Sequence, residues 1–148
     1  MTSSRDIFHQ IPPNAKVFIS FDLLHSFFQV HVTEEDWHLL SFIIPSGKYC
    51  FTCLIQGHLN SGDHLNMKSQ CLLVGLQHAL QIMDDFMSAC SSLKDAYLKG
   101  SILLQNAVRR NWKFSKRKAQ VSTKVTFCGL TIKPLLRESP CLAQQPEA

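Results

Sequence analysis

No apolar run in this chain approaches the ~20 residues that cross a bilayer, which sets aside a membrane-spanning helix. The first ten residues, Met1 to Gln10, are polar and mixed in charge and lack the apolar core of a secretory signal. The six cysteines are therefore expected as reduced thiols rather than a disulfide framework, and cytoplasm or nucleus is the expected location. There is no internal repeat and no low-complexity tract. What remains is the make-up of a folded domain: 148 residues, 45% of them hydrophobic, enough for one domain around one core.

Charge is modest in sum, +4, but unevenly spread. Residues 1–74 carry four Lys/Arg and six Asp/Glu, a net of −2, whereas residues 75–148 carry eleven and five, a net of +6. Six of the bases fall within ten residues: Arg109, Arg110, Lys113, Lys116, Arg117 and Lys118, with Trp112 and Phe114 interleaved. Such a cluster suits a phosphate backbone. It equally suits a solvated helix end, where Lys and Arg meet the negative end of the dipole.

The chain reads as alternating short elements. Lys16 to Asp22 is apolar and partly β-branched, a buried strand ending in a carboxylate. Phe28 to Val32 alternates as a half-buried strand, and Thr33 to Asp36 is a polar turn. Leu39 to Ile44 and Tyr49 to Leu54 are strands joined by Pro45-Ser-Gly-Lys48, a strong turn signal, and so form a β-hairpin. Asn60 or Ser61 caps a helix whose apolar positions Leu65, Cys71, Leu72, Leu76 and Leu80 keep roughly helical spacing. Leu80 to Met83 and Phe86 to Ala89 flank Asp84-Asp85 as two strands around a tight turn. Ser91 or Ser92 opens a second helix with apolar Leu93, Tyr97, Ile102, Leu103 and Val108, running on to Trp112. Val125 to Ile132 is a strand interrupted by Gly129. The expected architecture is α+β, an antiparallel sheet with two helices covering one face. A lead-in over residues 1–15 precedes the domain, residues 16–133, and residues 134–148 read as a loose, disordered tail.

A carboxylate pair at a tight turn carries a repulsion that a divalent cation would neutralise. Two metals about 3.5–4 Å apart on such carboxylates serve to displace pyrophosphate with a 3′-hydroxyl. Magnesium suits this work, since it prefers oxygen ligands and shares them with phosphates. Asp is also simply favoured in turns. The combination says more than the dipeptide: Asp22 ends one strand, Asp84-Asp85 sit on a hairpin, and a basic segment follows.

Several stretches resemble one family in collinear order. Phe21-Asp-Leu-Leu-His-Ser-Phe-Phe-Gln-Val30 resembles the reverse-transcriptase stretch D-L-x-S-G-Y/F-H-Q-V/I. Phe42-Ile-Ile-Pro-Ser-Gly-Lys-Tyr-Cys-Phe-Thr52 resembles its hairpin F-x-x-P-x-G-x-Y/F-x-F/W. Gln56-Gly57 followed by Asn60-Ser61 resembles P-x-G-L-x-N-A/S, and Met83-Asp84-Asp85 the end of Y-x-D-D. Lys113 to Lys118 and Val125-Thr-Phe-Cys-Gly129 resemble the later K-C and V-x-F-L-G-H elements. Over roughly residues 8–133 the chain is similar to the ferredoxin-like palm of a reverse transcriptase (RNA-directed DNA polymerase) from a gypsy-class LTR retrotransposon.

That resemblance implies two-metal nucleotidyl transfer from a dNTP to a primer 3′-hydroxyl. Asp22 and Asp84 would ligate two Mg2+ ions, with Mn2+ as an alternative and Asp85 as the supporting carboxylate. Phe27, five residues after Asp22, stands where the family places an aromatic gate against the ribose 2′-hydroxyl. Gln56, Gly57 and Lys118 would line the nucleotide. Arg109, Arg110, Lys113, Lys116 and Arg117 would meet an RNA/DNA template-primer, and Phe127, Cys128 and Gly129 would lie in the hairpin that grips the primer. The pattern departs at Ile82, where the family has tyrosine, at Ile55 and His58 around Gln56-Gly57, and at His25-Ser26 in place of Ser-Gly. Fingers, thumb and RNase H, the last two downstream, have no counterpart in this stretch and are expected from another chain. A non-catalytic retroelement remnant is the companion reading.

One motif points elsewhere. Cys50, Cys53 and His58 have the Cys-x2-Cys-x4-His spacing that opens a zinc knuckle, a nucleic-acid-binding module, with Asp63 where its fourth ligand would fall. Against it, Leu54-Ile55 are apolar, and a strand would turn Cys50 and Cys53 to different sides. His9, His31, His38, His64 and His78 show no ligand spacing. Cys71, Cys90, Cys128 and Cys141 read as small buried or incidental thiols.

Overall fold

Six consecutive buried residues, Val17–Asp22, form strand β1 at the interior of a four-stranded sheet in the computed structural model, which describes residues 9–134. Both faces of β1 are covered, so burial is continuous along it, and its two polar residues, Ser20 and Asp22, are buried with the apolar ones. Further along the chain come β2 (Ser41–Ile44), β3 (Gly47–Cys50), α1 (Ser61–Ser69), β4 (Ala79–Ile82) and β5 (Asp85–Cys90). Then follow α2 (Leu93–Arg109), β6 (Gln120–Ser122), β7 (Val125–Phe127) and β8 (Leu130–Ile132). The sheet order is β4-β5-β1-β6, and every neighbouring pair is antiparallel. The α+β fold with an antiparallel sheet is as expected.

The two faces differ. On one, Val17, Ile19, Phe21 and Leu23 of β1 and its exit meet Phe86 and Cys90 of β5 and Ala96, Leu103 and Ala107 of α2. Leu72, from the 3-10 turn Gln70–Leu73 that continues α1, closes this core. On the other face, Phe18, Leu80, Met87 and Ala89 pack on Val125, Phe127 and Ile132 of the β7–β8 hairpin. A smaller cluster of Val30, Leu54 and Leu65 ties α1 to the segment after β1.

Several local expectations give way to the structure. Phe28 to Val32 is not a strand: Ser26–Gln29 is a 3-10 turn, entered through His25 at φ 49°. The polar turn after Thr33 extends into 3-10 turns over Glu34–Leu40, and the strands of the first hairpin are shorter than expected. Helix α1 stops at Ser69, so Leu80 belongs to β4. The interrupted strand Val125–Ile132 is a hairpin, because Cys128 (φ 49°) and Gly129 (φ 79°) turn the chain back. Strand β6 has no counterpart among the sequence-based expectations.

Helix α2 ends near Arg109 rather than Trp112 and buries a different face from the one its large residues suggest. Ala96, Gly100, Leu103 and Ala107 face the sheet, while Leu93, Tyr97 and Val108 are 70–80% exposed. A Cβ on Gly100 would be in ordinary contact with Phe21 at 3.8 Å, so the helix runs close to β1 at this position. Ala15 is buried in the second core, so the end of the lead-in is part of the domain. The disordered tail expected over residues 134–148, Cys141 included, lies outside the described residues apart from Pro134. No helix among the described residues is long and apolar enough to cross a membrane.

Candidate active site

The β1–β5 ladder ends on the rung Asp22↔Asp85, and residues opposed on an antiparallel pair send their side chains to the same face. The β4–β5 turn is Met83-Asp84, since Ile82 pairs with Asp85. The expected Asp84-Asp85 turn is thus displaced by one residue, and Asp85 is a strand residue. Met83 takes φ 55°, a conformation L residues adopt at some cost. Gln81 braces it, donating from Nε2 to the Met83 carbonyl at 3.0 Å and to the Ser69 hydroxyl of α1. The Leu23 amide donates to the Asp84 carbonyl at 2.9 Å, locking the turn to the exit of β1.

These constraints put three carboxylates together. Ligand atoms of Asp22, Asp84 and Asp85 lie within 4.8 Å of one another, and Asp22 is buried. Burial is the main cause pushing the Asp85 carboxyl above its ordinary value, followed by the charges of Asp84 and Asp22 and a hydrogen bond with Asp22; Lys118 opposes them.

Lys118 closes one side, its Nζ 2.8 Å from Asp22 Oδ2. The hydrogen bond to Asp22 and that carboxylate's charge hold its ammonium above the ordinary value. The segment carrying it is docked by backbone and side chain alike. The Ser115 amide donates to the Asp22 carbonyl at 2.7 Å, and the Leu24 amide to the Lys113 carbonyl at 2.9 Å. The Gln29 carboxamide accepts from the Lys113 amide at 2.7 Å and donates to the Lys113 carbonyl at 3.0 Å. Phe114 packs between Phe21 and Phe86, with ring centroids 5.5 and 5.4 Å away. Trp112 is half-buried against the same core, so neither interleaved aromatic is a free stacking platform.

On the other side Cys128, at the β7–β8 turn, places its Sγ 3.8 Å from Asp85 Oδ2. Burial, then the Asp85 charge, push the thiol up to about 11.

The remaining expected site residues are distributed as follows. Phe27 is half-buried against Val30, Leu54 and Leu65. Gln56 and Gly57 are exposed, with Gly57 at φ 88°. Arg109, Arg110, Lys113, Lys116 and Arg117 are exposed and form no ion pair among the described residues. Phe127 lies in the β7–β8 hairpin with its side chain buried in the second core, so of its trio Cys128 and Gly129 present surface. The zinc-knuckle spacing gathers no site. Cys50 ends β3, Cys53 bridges to His31 and His58 lies in an exposed loop. Among the described residues, the Asp22-Asp84-Asp85 group is the one set of three or more such side chains close enough to share an ion. Sequence reasoning misses Gln29 and Gln81; Gln29 lies inside a matched motif, but its partner is 84 residues away.

A family model described as Reverse transcriptase (RNA-dependent DNA polymerase) matches residues 2–132. The enzymatic polyproteins of cauliflower mosaic virus strains D/H and Strasbourg are each 27% identical over 128 residues, covering 79% of this chain and 18% of theirs. The fold is similar to that of prototype foamy virus protease-reverse transcriptase, with TM-score 0.80 and 23% identity over 90% of this chain and 18% of that one. The foamy viral enzyme solved with double-stranded DNA gives TM-score 0.81 and 19% identity over 90% of this chain and 24% of that one. The chain thus spans about a fifth of the length of these relatives.

Proposed function

The chain belongs to the reverse transcriptase (RNA-dependent DNA polymerase) family, and from that premise we propose that it is the palm of a gypsy-class LTR retrotransposon reverse transcriptase, residues 16–133. The observation that carries the reading is the convergence of three carboxylates at the end of the β1–β5 ladder. All its donors are hard carboxylate oxygens, and three carboxylates against the single ammonium of Lys118 leave an excess of negative charge, which fits Mg2+, with Mn2+ as the alternative. Asp22 and Asp84 would hold two ions and Asp85 would support them. When bound, such ions stabilise the attacking and leaving oxygens of an in-line displacement.

In that displacement the primer 3′-oxygen bonds to the α-phosphorus of a dNTP as the bond to the bridging oxygen breaks. Pyrophosphate leaves and the hydroxyl proton passes to solvent. The protein's own contribution is placement. Phe27 sits against the sugar and leaves no room for a 2′-hydroxyl, while Gln56, Gly57 and Lys118 line the nucleotide. Arg109, Arg110, Lys113, Lys116 and Arg117 neutralise the template-primer backbone, and Cys128 and Gly129 meet the primer end. Two solved relatives are complexes with an RNA/DNA hybrid and with double-stranded DNA, which supports nucleic acid as the partner. Fingers, thumb and RNase H would come from another chain or further polypeptide, and cytoplasm or nucleus is the proposed location.

The test is extension of a primed RNA template by the purified chain with dNTPs and Mg2+ or Mn2+, alone and with fingers and thumb segments added. Extension abolished by Asp84→Asn with Asp85→Asn supports the reading. Extension unchanged by that pair removes it, and a folded chain inert under every condition is the remnant.

A further inference from the structure

We propose that Lys118 and a divalent cation are alternative occupants of one subsite at Asp22, and that Gln29 is the positioning residue that delivers Lys118 to it. The inference rests on the metal reading above and deepens it. Its first support is distance: Lys118 Nζ lies 2.8 Å from Asp22 Oδ2, where an ammonium already takes a ligand oxygen. Asp22 is the buried member of the trio and belongs to the only such group among the described residues. A cation entering there meets both an occupied ligand and a like charge.

The second support is how Lys118 gets there. It is 96 positions from Asp22 in sequence and its own side chain is largely exposed, so its place depends on how the segment before it is docked. The holding is done upstream. The Gln29 carboxamide pairs with both backbone groups of Lys113, as a neighbouring strand would, and a second Nε2 contact goes to the Leu24 carbonyl. From that clamp the segment runs through Phe114, anchored between Phe21 and Phe86, to Ser115, whose amide donates to the Asp22 carbonyl. A turn closed by the Lys118 amide on the Ser115 carbonyl, at 3.2 Å, then returns Lys118 to Asp22. Gln29 therefore touches neither reactant nor carboxylate and acts through Lys118.

The consequence is an ordered exchange. Without metal, Lys118 offsets the repulsion of three clustered carboxylates and lets the ladder close on its last rung. As an ion takes Asp22, the ammonium is released beside the site with its charge free for phosphate oxygens.

The test is Mn2+ titration of the full chain by calorimetry, without nucleotide, on wild type, Lys118→Gln, Gln29→Ala, the Gln29→Ala/Lys118→Gln double variant, Lys124→Gln as a remote charge control, and Asp84→Asn/Asp85→Asn. Lys118→Gln is expected to bind Mn2+ about fivefold more tightly, the size of an exposed ion pair. Gln29→Ala is expected to tighten binding about twofold, and the double variant to bind no more tightly than Lys118→Gln, since both changes act through one group. Damage to the fold would weaken binding, so the rise separates positioning from mere stabilisation. Unchanged or weaker binding in Lys118→Gln overturns the proposal, as does an equal rise in Lys124→Gln. Wild-type affinity in the Asp84→Asn/Asp85→Asn protein overturns the metal reading itself, and this proposal with it.

Discussion

Asp22 and Asp85 are partners on the last rung of the β1–β5 ladder, so two carboxylates leave the sheet side by side. Like charges directly opposed across strands cost of order 0.5–1 kcal/mol. Asp85→Asn is therefore expected to raise the stability of the metal-free protein by about that much at pH 8. The Asp85 carboxyl titrates above its ordinary value, chiefly through burial and then through Asp84, so the folded state binds its proton more tightly than the unfolded chain. Its unfavourable contribution is present above the raised value and is relieved as pH falls through it. The advantage of the Asn variant should shrink on acidification, which melting curves between pH 8 and pH 4 would show. Millimolar Mg2+ should stabilise wild type more than the variant.

Charge and core are separable in the segment Lys113–Lys118. Replacing Lys113, Lys116 and Arg117 by Ala should leave the melting temperature nearly unchanged. It should lower the slope of log affinity against log salt for a template-primer by about one for each phosphate no longer neutralised. Phe114→Ala should cost about 3 kcal/mol, because the ring fills the core between Phe21 and Phe86. Fluorescence anisotropy at several salt concentrations, with melts alongside, distinguishes the two effects.

Much of this is legible along the chain. Strand β1, the first hairpin and the strands around Met83-Asp84 follow from apolar runs and turn residues, and Asp22 is visible as a strand-ending carboxylate. The turn lies one residue earlier than its sequence suggests, because the apolar pattern of Leu80 to Met83 does not reveal that Met83 adopts a positive φ, which depends on the Gln81 brace. The large residues of α2 mislead about its buried face for a packing reason. The helix runs close to Phe21 and Ile19 at Gly100 and buries Ala96, Leu103 and Ala107 on the same face, leaving Leu93, Tyr97 and Val108 outward. The basic cluster looks like one surface in sequence, yet Lys118 belongs to the carboxylates. That pairing and the Gln29 clamp join distant segments, which no local pattern encodes.

The start of α2 carries a reciprocal cap. The Ser92 hydroxyl accepts from the Asp95 amide at 3.2 Å, and Asp95 Oδ2 accepts from the Ser91 amide at 2.9 Å. Asp95→Ala should cost about 1 kcal/mol at neutral pH. The Ser91 amide is the largest cause holding the Asp95 carboxyl below its ordinary value. Its stabilisation is thus present above the unfolded value and lost as pH falls through the lower folded one. The gap between variant and wild type in chemical denaturation should close in strong acid.

Cys128 reports on the carboxylates. With its thiol pushed up to about 11, it should alkylate slowly at pH 8. Asp85→Asn removes the nearest charge and should accelerate iodoacetamide labelling of Cys128 severalfold, on the order of the thiolate gained, as mass spectrometry of the labelled peptide would measure. An unchanged rate would mean that the carboxylate does not act on the thiol.

Anomalous diffraction from crystals of the chain soaked in Mn2+ with template-primer and dNTP addresses the metal centre most directly. The expected result is anomalous density among Asp22, Asp84 and Asp85, with Lys118 withdrawn from Asp22. Density absent from that trio, or found instead at Cys50, Cys53 and His58, would contradict a two-metal polymerase centre in this fold.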